Sequence, residues 1–344
     1  VTGPARGVWF VVPEGVGDPE RVTGGNVYDQ RVSAELRSLG WDVRMVETTV
    51  EATGDEWHTA IPDGGLVLVD GLAAIRAPSS IEAAAGRVRV VVLAHMAAAA
   101  FDGADPRAVD GERRALPQAD RIIATSEWLR DELLGRGLAA AERVVVATPG
   151  ADEAALAMGS STGGSLLCVG VVAPHKGQDT LVAALAQLGK GPTWTCTFAG
   201  STSTDPSFAT VIATEAAAAG LARRVTWAGV LNPRELEDAY AHADLLIAPS
   251  RTESYGIAVG DALRRGIPVI ASRAGGIPEA AYPQDAVILV PPGDRAALRD
   301  ALHQWLHEPG LRARMSTAAR HAAPSRRGWT DTARTIHSTL VGLT

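Results

Sequence analysis

The stretch Pro249-Ser-Arg-Thr-Glu-Ser-Tyr-Gly-Ile-Ala-Val-Gly-Asp261, continuing as Ala262-Leu-Arg-Arg-Gly-Ile-Pro-Val-Ile-Ala-Ser272, decides how this chain is read. Leu245-Leu-Ile-Ala248 before it is a short apolar run suited to a buried strand, and Val269-Ile-Ala271 is the next one. Between them, Ile257 to Arg265 alternates with helical period until Gly266 and Pro268 end it. A strand, a glycine turn and a helix start together make an anion pocket. The free first-turn amides and the positive end of the helix dipole point at one spot. Two carboxylates stand eight positions apart around it, Glu253 in the turn and Asp261 on the helix. One acid can then face a sugar and the other a ribose, with a diphosphate between them.

The chain around this stretch has 344 residues, enough for two domains that each bury a core. Nearly half of them are apolar (46%) and a fifth charged (21%), the balance of a soluble globular protein. A net charge of −7 argues against a nucleic-acid partner and against a strongly basic membrane-binding face. Cys168 and Cys196 both lie in apolar strand-like runs and read as core residues, not metal ligands or redox groups. No basic-plus-apolar leader and no apolar run of about 20 residues is visible, so a cytoplasmic location with little membrane association is expected.

Short apolar runs alternate with helical stretches along the whole chain. In the first half the runs are Gly7 to Val12, Trp41 to Val46, Leu66 to Val69, Val88 to Leu93, Arg121 to Ala124 and Val144 to Val146. A helix over Val27 to Leu39 closes at Gly40, and Ser126 is an N-cap signal. Asp152 to Gly164 is the best linker, ending in Gly159-Ser-Ser-Thr-Gly-Gly164. The alternation then restarts at Ser165 and continues to helices at Leu298 to Leu306 and Leu311 to Ala322. Both halves read as doubly wound parallel sheets, with ligands expected in a cleft between them.

The second half closely resembles the retaining, metal-independent glycosyltransferases of family 4 (glycosyl transferases group 1). The matching segments are Cys168-Val-Gly-Val-Val-Ala-Pro-His-Lys-Gly177, Val225-Thr-Trp-Ala-Gly229, Ala243-Asp-Leu-Leu-Ile-Ala-Pro-Ser250, Glu253-Ser-Tyr-Gly256, Gly275-Gly-Ile-Pro-Glu279 and Val290-Pro-Pro-Gly-Asp294. The first half is similar more loosely, through Gly24-Gly-Asn-Val-Tyr28, His95, Ala124-Thr-Ser-Glu127 and Thr148-Pro-Gly-Ala-Asp152. The resemblance implies a GT-B fold of two facing Rossmann-like domains. Residues 1–155 would bind the acceptor, joined by a C-terminal helix over 325–344, and residues 160–322 would bind the donor.

The same resemblance implies the roles. Glu253 takes hydroxyls of the donor sugar and Asp261 the ribose, although Asp261 stands where the family usually has a glutamate. Ser254 belongs to this donor loop, and the amides of Tyr255, Gly256 and Ile257 meet the diphosphate. Lys176 neutralises the departing phosphate, and His95 orients the sugar, so His95, Lys176 and Glu253 form the catalytic set. Gly24 and Gly25 bring backbone toward the diphosphate, with a helix starting near Asn26, and Asn26 and Tyr28 are acceptor contacts. The second cation of the family is missing, because Val171 occupies its position; Arg251 or Arg273 are the candidate substitutes. No metal or other cofactor is expected. The donor is a nucleoside diphosphate sugar, and the acceptor is a small molecule or glycan bearing a hydroxyl.

Other classes compete with this one. A nucleotide-sugar epimerase on the same fold would need acid and base carboxylates in the first half. A nicotinamide-dependent dehydrogenase lacks its Gly-x-Gly-x-x-Gly after the first strand. Val171 and Asp261 also leave room for a non-catalytic sugar-nucleotide binding protein.

Overall fold

The computed structural model describes residues 6–49, 56–101, 103–189 and 191–344. The chain divides into two compact units, residues 1–21, 25–150 and 327–344 in the first and residues 22–24 and 151–326 in the second.

The first unit begins with β1 (Arg6–Pro13), α1 (Gly24–Ser38) and β2 (Trp41–Thr48). It goes on through β3 (Leu66–Asp70), α2 (Gly71–Arg76), α3 (Pro78–Ala84), β4 (Arg89–Ala94), α4 (Pro106–Ala115), β5 (Arg121–Ala124), α5 (Glu127–Gly135) and β6 (Val144–Val146). The six strands are parallel in the order β2-β1-β3-β4-β5-β6. Runs such as Val67 to Val69 and Val90 to Leu93 are buried on both faces, which is why they read as unbroken apolar stretches. The order in which successive strands join the sheet reverses between β1 and β3, and the carboxyl ends of strands beside such a switch leave a crevice for ligands. Ser126 caps α5 as expected, its hydroxyl accepting from the Leu129 amide at 2.9 Å. α1 starts at Gly24, earlier than the sequence pattern predicts. α2 and α4 carry no readable apolar period; Asp70 and Asp105 cap them, accepting from the amides of Ala73 and Arg107.

The second unit contains β7 (Ser165–Val169), α6 (Gln178–Leu185), β8 (Thr195–Ala199), α7 (Pro206–Ala218), β9 (Val225–Gly229) and α8 (Pro233–Ala241). β10 (Leu245–Ala248), α9 (Ile257–Arg264), β11 (Val269–Ser272), α10 (Ile277–Ala280), β12 (Val287–Val290), α11 (Arg295–His307) and α12 (Pro309–Ala322) complete it. Its six parallel strands run β12-β11-β10-β7-β8-β9, so the switch lies between β7 and β10. One face packs Leu181, Phe198, Ile247, Ile270 and Trp305 into a single cluster that includes both buried, unbridged cysteines. Burial pushes the Cys168 thiol up to about 12, with Lys176 only partly opposing, so it remains a protonated core group.

The stretch with linker composition is not free chain. The division falls after Gly150, and the following residues are fastened to the second unit. Ala157 donates its amide to the Arg265 carbonyl at 2.8 Å, and Ser160 donates its hydroxyl to Asp244 at 2.5 Å. The last helix, α13 (Trp329–Val341), belongs to the first unit. Trp329, Ile336 and Leu340 are buried there, Thr332 donates to the Thr148 carbonyl at 2.7 Å, and the Trp41 indole donates to His337 at 2.9 Å.

Candidate active site

In the second unit the two strands at the switch each deliver one charged group. β7 leads through a short turn to Lys176, and β10 leads to Glu253. Lys176 Nζ donates to Glu253 Oε2 at 2.5 Å, joining residues 77 positions apart, with both side chains mostly buried (24% and 19% exposed). A charge-assisted contact of this length orients both ends strongly.

The backbone around the pair is fixed by close packing. Gly256 precedes α9 with φ of 101°, a left-handed conformation that side chains disfavour, and it turns the chain from the Glu253 loop into the helix. Gly275 and Gly276 press on that loop. A Cβ on Gly275 would lie 1.8 Å from the Glu253 carbonyl oxygen, and one on Gly276 2.1 Å from that of Ser254. The Gly276 amide donates to the Glu253 carbonyl at 3.0 Å. The Gly-Gly of the motif therefore seats the acid-bearing loop. In the first turn of α9 the Val259 amide donates to the Gly256 carbonyl at 2.9 Å, and the amides ahead of it belong to a helix start, which offers no partner inside the helix and suits an anion.

Asp261 lies half-buried one turn into α9, with Tyr240, Arg265 and Arg326 in its electrostatic reach. Arg273 is exposed. Arg251 does not stand in for the missing cation: it grips Asp179 with both terminal nitrogens, at 2.8 and 2.6 Å, and donates to the Pro174 carbonyl at 2.6 Å. Its amide also holds the His175 carbonyl at 2.7 Å. Arg251 thus ties the Lys176 turn to the Glu253 loop. Val171 is half-buried, and its carbonyl accepts from the Gln178 amide at 2.8 Å. Beside Lys176, burial and then the lysine's charge hold His175 down to about 4, with Glu253 opposing, so its ring is neutral at pH 7.

The first unit gathers a second cluster at its own switch. His95 follows β4, Asp70 ends β3 and Asp29 lies on α1. His95 Nε2 is 2.9 Å from Asp29 Oδ1 and 3.1 Å from Asp70 Oδ2. Asp29 and Asp70 are almost fully buried, and the His95 side chain is 13% exposed. Gly25 makes room for the ring, since a Cβ there would lie 3.3 Å from His95 Cδ2. Burial opposes charge on His95, but Asp29 and then Asp70 outweigh it and carry the imidazole up to about 10. Burial raises Asp29 to about 7, with Asp70 adding to the rise and His95 opposing it. The three groups lie within 4.8 Å of one another, near enough for a small cation. Their contacts are nonetheless those of a proton-sharing triad, and Asp70 Oδ1 is already taken by the Ala73 amide at 2.9 Å.

His95 is therefore no lone histidine at a strand end, and neither aspartate stands out in the sequence. Asp70 resembles any N-cap acid, and Asp29 any polar residue on a helix. Tyr28 is not the acceptor contact expected of it. It is fully buried, its hydroxyl donates to the Ala147 carbonyl at 2.7 Å, and its ring meets His95 and Trp329 edge-on. Asn26 is half-buried and donates to the Arg21 carbonyl at 2.8 Å, and Gly24 opens α1.

Residues 161–322 match the family Glycosyl transferases group 1. The chain is 31% identical over 233 residues to the D-inositol 3-phosphate glycosyltransferase of Acidothermus cellulolyticus, covering 62% of this chain and 51% of that one. It is 32% identical over 248 residues to the enzyme of that name from Mycolicibacterium smegmatis, covering 66% and 54%. The chain thus spans about half the length of these curated relatives. Among solved structures, sucrose-phosphate synthase from Thermosynechococcus elongatus superposes with a TM-score of 0.81 at 20% identity, over 98% of this chain and 99% of that one. Anabaena HepE in complex with UDP-glucose gives 0.79 at 19%, over 98% and 99%. These likenesses establish the fold: two six-stranded parallel-sheet units, the GT-B architecture. Among the described residues no helix is long and apolar enough to cross a membrane.

Proposed function

We propose that the protein is a retaining glycosyltransferase that moves a hexosyl group from a nucleoside diphosphate sugar to a hydroxyl without a metal ion. The observation that carries this is the Lys176–Glu253 pair, assembled at the second unit's switch beside the N-terminus of α9. Cleavage at the anomeric carbon builds negative charge on the leaving phosphate. Lys176 and the first-turn amides of α9 stand ready to stabilise it, and preorganised charges of this kind lower barriers by several kcal/mol. Glu253 turns to the sugar hydroxyls once Lys176 is drawn to phosphate, and Asp261 takes the ribose. The bond from sugar to phosphate breaks, the acceptor oxygen bonds to the same face of the anomeric carbon, and the leaving phosphate takes the acceptor's proton.

HepE was solved with UDP-glucose, which favours a uridine nucleotide as donor. The name shared by the curated relatives favours a phosphorylated polyol such as D-inositol 3-phosphate as acceptor. Thermal shift with UDP, GDP, ADP and dTDP, followed by transfer from the matching sugar nucleotide, tests the reading. Stabilisation by one nucleotide and acceptor-dependent release of it are expected. Absence of stabilisation by all four would sink it.

A further inference from the structure

We infer that Asp29 and Asp70 are positioning residues that lock His95 as an imidazolium, with its Nδ1–H turned out as a hydrogen-bond donor to a hydroxyl or phosphoryl oxygen of the bound ligand. The inference deepens the glycosyl-transfer reading and rests on it for the ligand, but not for the state of the ring.

A single nitrogen, Nε2, lies within hydrogen-bond distance of two buried carboxylates, so a proton resides there. Nδ1 has no partner among the described residues and is the nitrogen left for a ligand. Tyr28 packs edge-on against the ring at 5.3 Å, and Gly25, lacking a Cβ, lets the α1 backbone lie close to its Cδ2. Among the described residues the titratable groups facing His95 are Asp29 and Tyr28 from α1 and Asp70 from β3, two acids and a neutral phenol, with no cation in contact with the ring.

The arrangement is costly if it only serves folding. Among the described residues no N–H or hydroxyl donor reaches the buried Asp29 Oδ2, while Asp70 beside it raises Asp29 further, and an orphaned buried acceptor destabilises the fold. The triad also sits at the carboxyl ends of β3 and β4, next to the switch, where this class of sheet takes ligands. A histidine backed by one carboxylate often serves as a base, because its outward nitrogen carries a lone pair. Two carboxylates on the inner nitrogen change that role, for the outward nitrogen keeps its proton. His95 then cannot accept the acceptor's proton, which must leave by another route, as transfer to the departing phosphate provides.

Long-range 15N NMR of the imidazoles, on the full unliganded chain, reads the ring directly, with the His95 signal assigned by its loss in His95→Gln. His95 is expected to stay doubly protonated past about pH 8, and Asp29→Asn and Asp70→Asn each to lower its titration by about one pH unit or more. Ordinary histidine titration in the wild type overturns the inference, and that measurement needs no variant to fold. So does a high value unchanged in both folded variants, or a neutral ring that takes up added Zn2+ through Nε2. In transfer from UDP-glucose to D-inositol 3-phosphate, the asparagine variants should lose about tenfold or more in kcat and lose activity at lower alkaline pH than wild type. Unchanged kcat, KM and pH profile would overturn the positioning role. Should the wild type transfer nothing, the enzyme reading fails while the NMR result still decides the state of His95.

Discussion

His95 and His175 occupy related places and end in opposite states. Each follows a strand flanking or adjoining the switch of its parallel sheet, and burial pushes both rings toward neutrality. In the first unit two aspartates override burial and the ring holds its proton. In the second, Lys176 adds to burial and the ring gives the proton up. The sign of the nearest charge, not the topology, sets the chemistry. The second unit therefore uses a lysine as its cation and keeps the neighbouring histidine neutral. The first unit makes its cation out of a histidine.

Substitutions should dissolve this contrast at several points. The largest effect is expected from Lys176→Ala or Glu253→Ala. Either should cost about 100-fold or more in transfer, with circular dichroism and melting close to wild type. Wild-type turnover by either variant would detach the pair from the chemistry. Next comes Gly275→Ala, whose Cβ would overlap the Glu253 carbonyl. Such overpacking should lower stability by about 1–3 kcal/mol in denaturant melts and weaken nucleotide binding by displacing the Glu253 loop.

The two histidines should also draw opposite pH limits. His95 is raised from 6.5 to about 10, so the native state binds the extra proton between those values. Its stabilisation is complete below about pH 6.5 and is lost as pH rises toward 10. His175 is lowered to about 4, so the unfolded state binds more protons between about 4 and 6.5, and stability falls on acidification through that window. Melting temperatures across pH should show the alkaline loss flattened in His95→Gln and the acid loss flattened in His175→Gln. Matching curves for both variants and wild type would erase the contrast. The smallest effect is expected for Arg251→Ala. Its pair with Asp179 is about one-third exposed, worth about 1 kcal/mol or less, while transfer should drop several-fold as the Lys176 turn and the Glu253 loop come untied.

The second unit is far more legible in sequence than the first. Strand, glycine turn and helix start are local signals, so Glu253 and the beginning of α9 can be read from a dozen consecutive residues. The fold class follows from the alternation, because buried parallel strands must be unbroken apolar runs. Pairings are not legible. Lys176 reaches Glu253, and Arg251 reaches Asp179, across more than 70 residues, and only the sheet order brings them together. In the first unit the informative residues lie on α1, β3 and β4, each unremarkable alone. Tyr28 misleads because a tyrosine beside a glycine pair looks displayed, whereas helical phase turns it into the core.

The assignment of α13 to the first unit orders the birth of the molecule. A ribosome makes the β1–β6 sheet before residues 151–326, yet Tyr28 and Trp41 find their partners Trp329 and His337 only after those residues have been made. The second unit, contiguous from residue 151 to 326 apart from a three-residue strap, can complete itself in the interval. The half begun first is the half sealed last, and until its closing helix arrives, the apolar surface around Tyr28 stays uncovered.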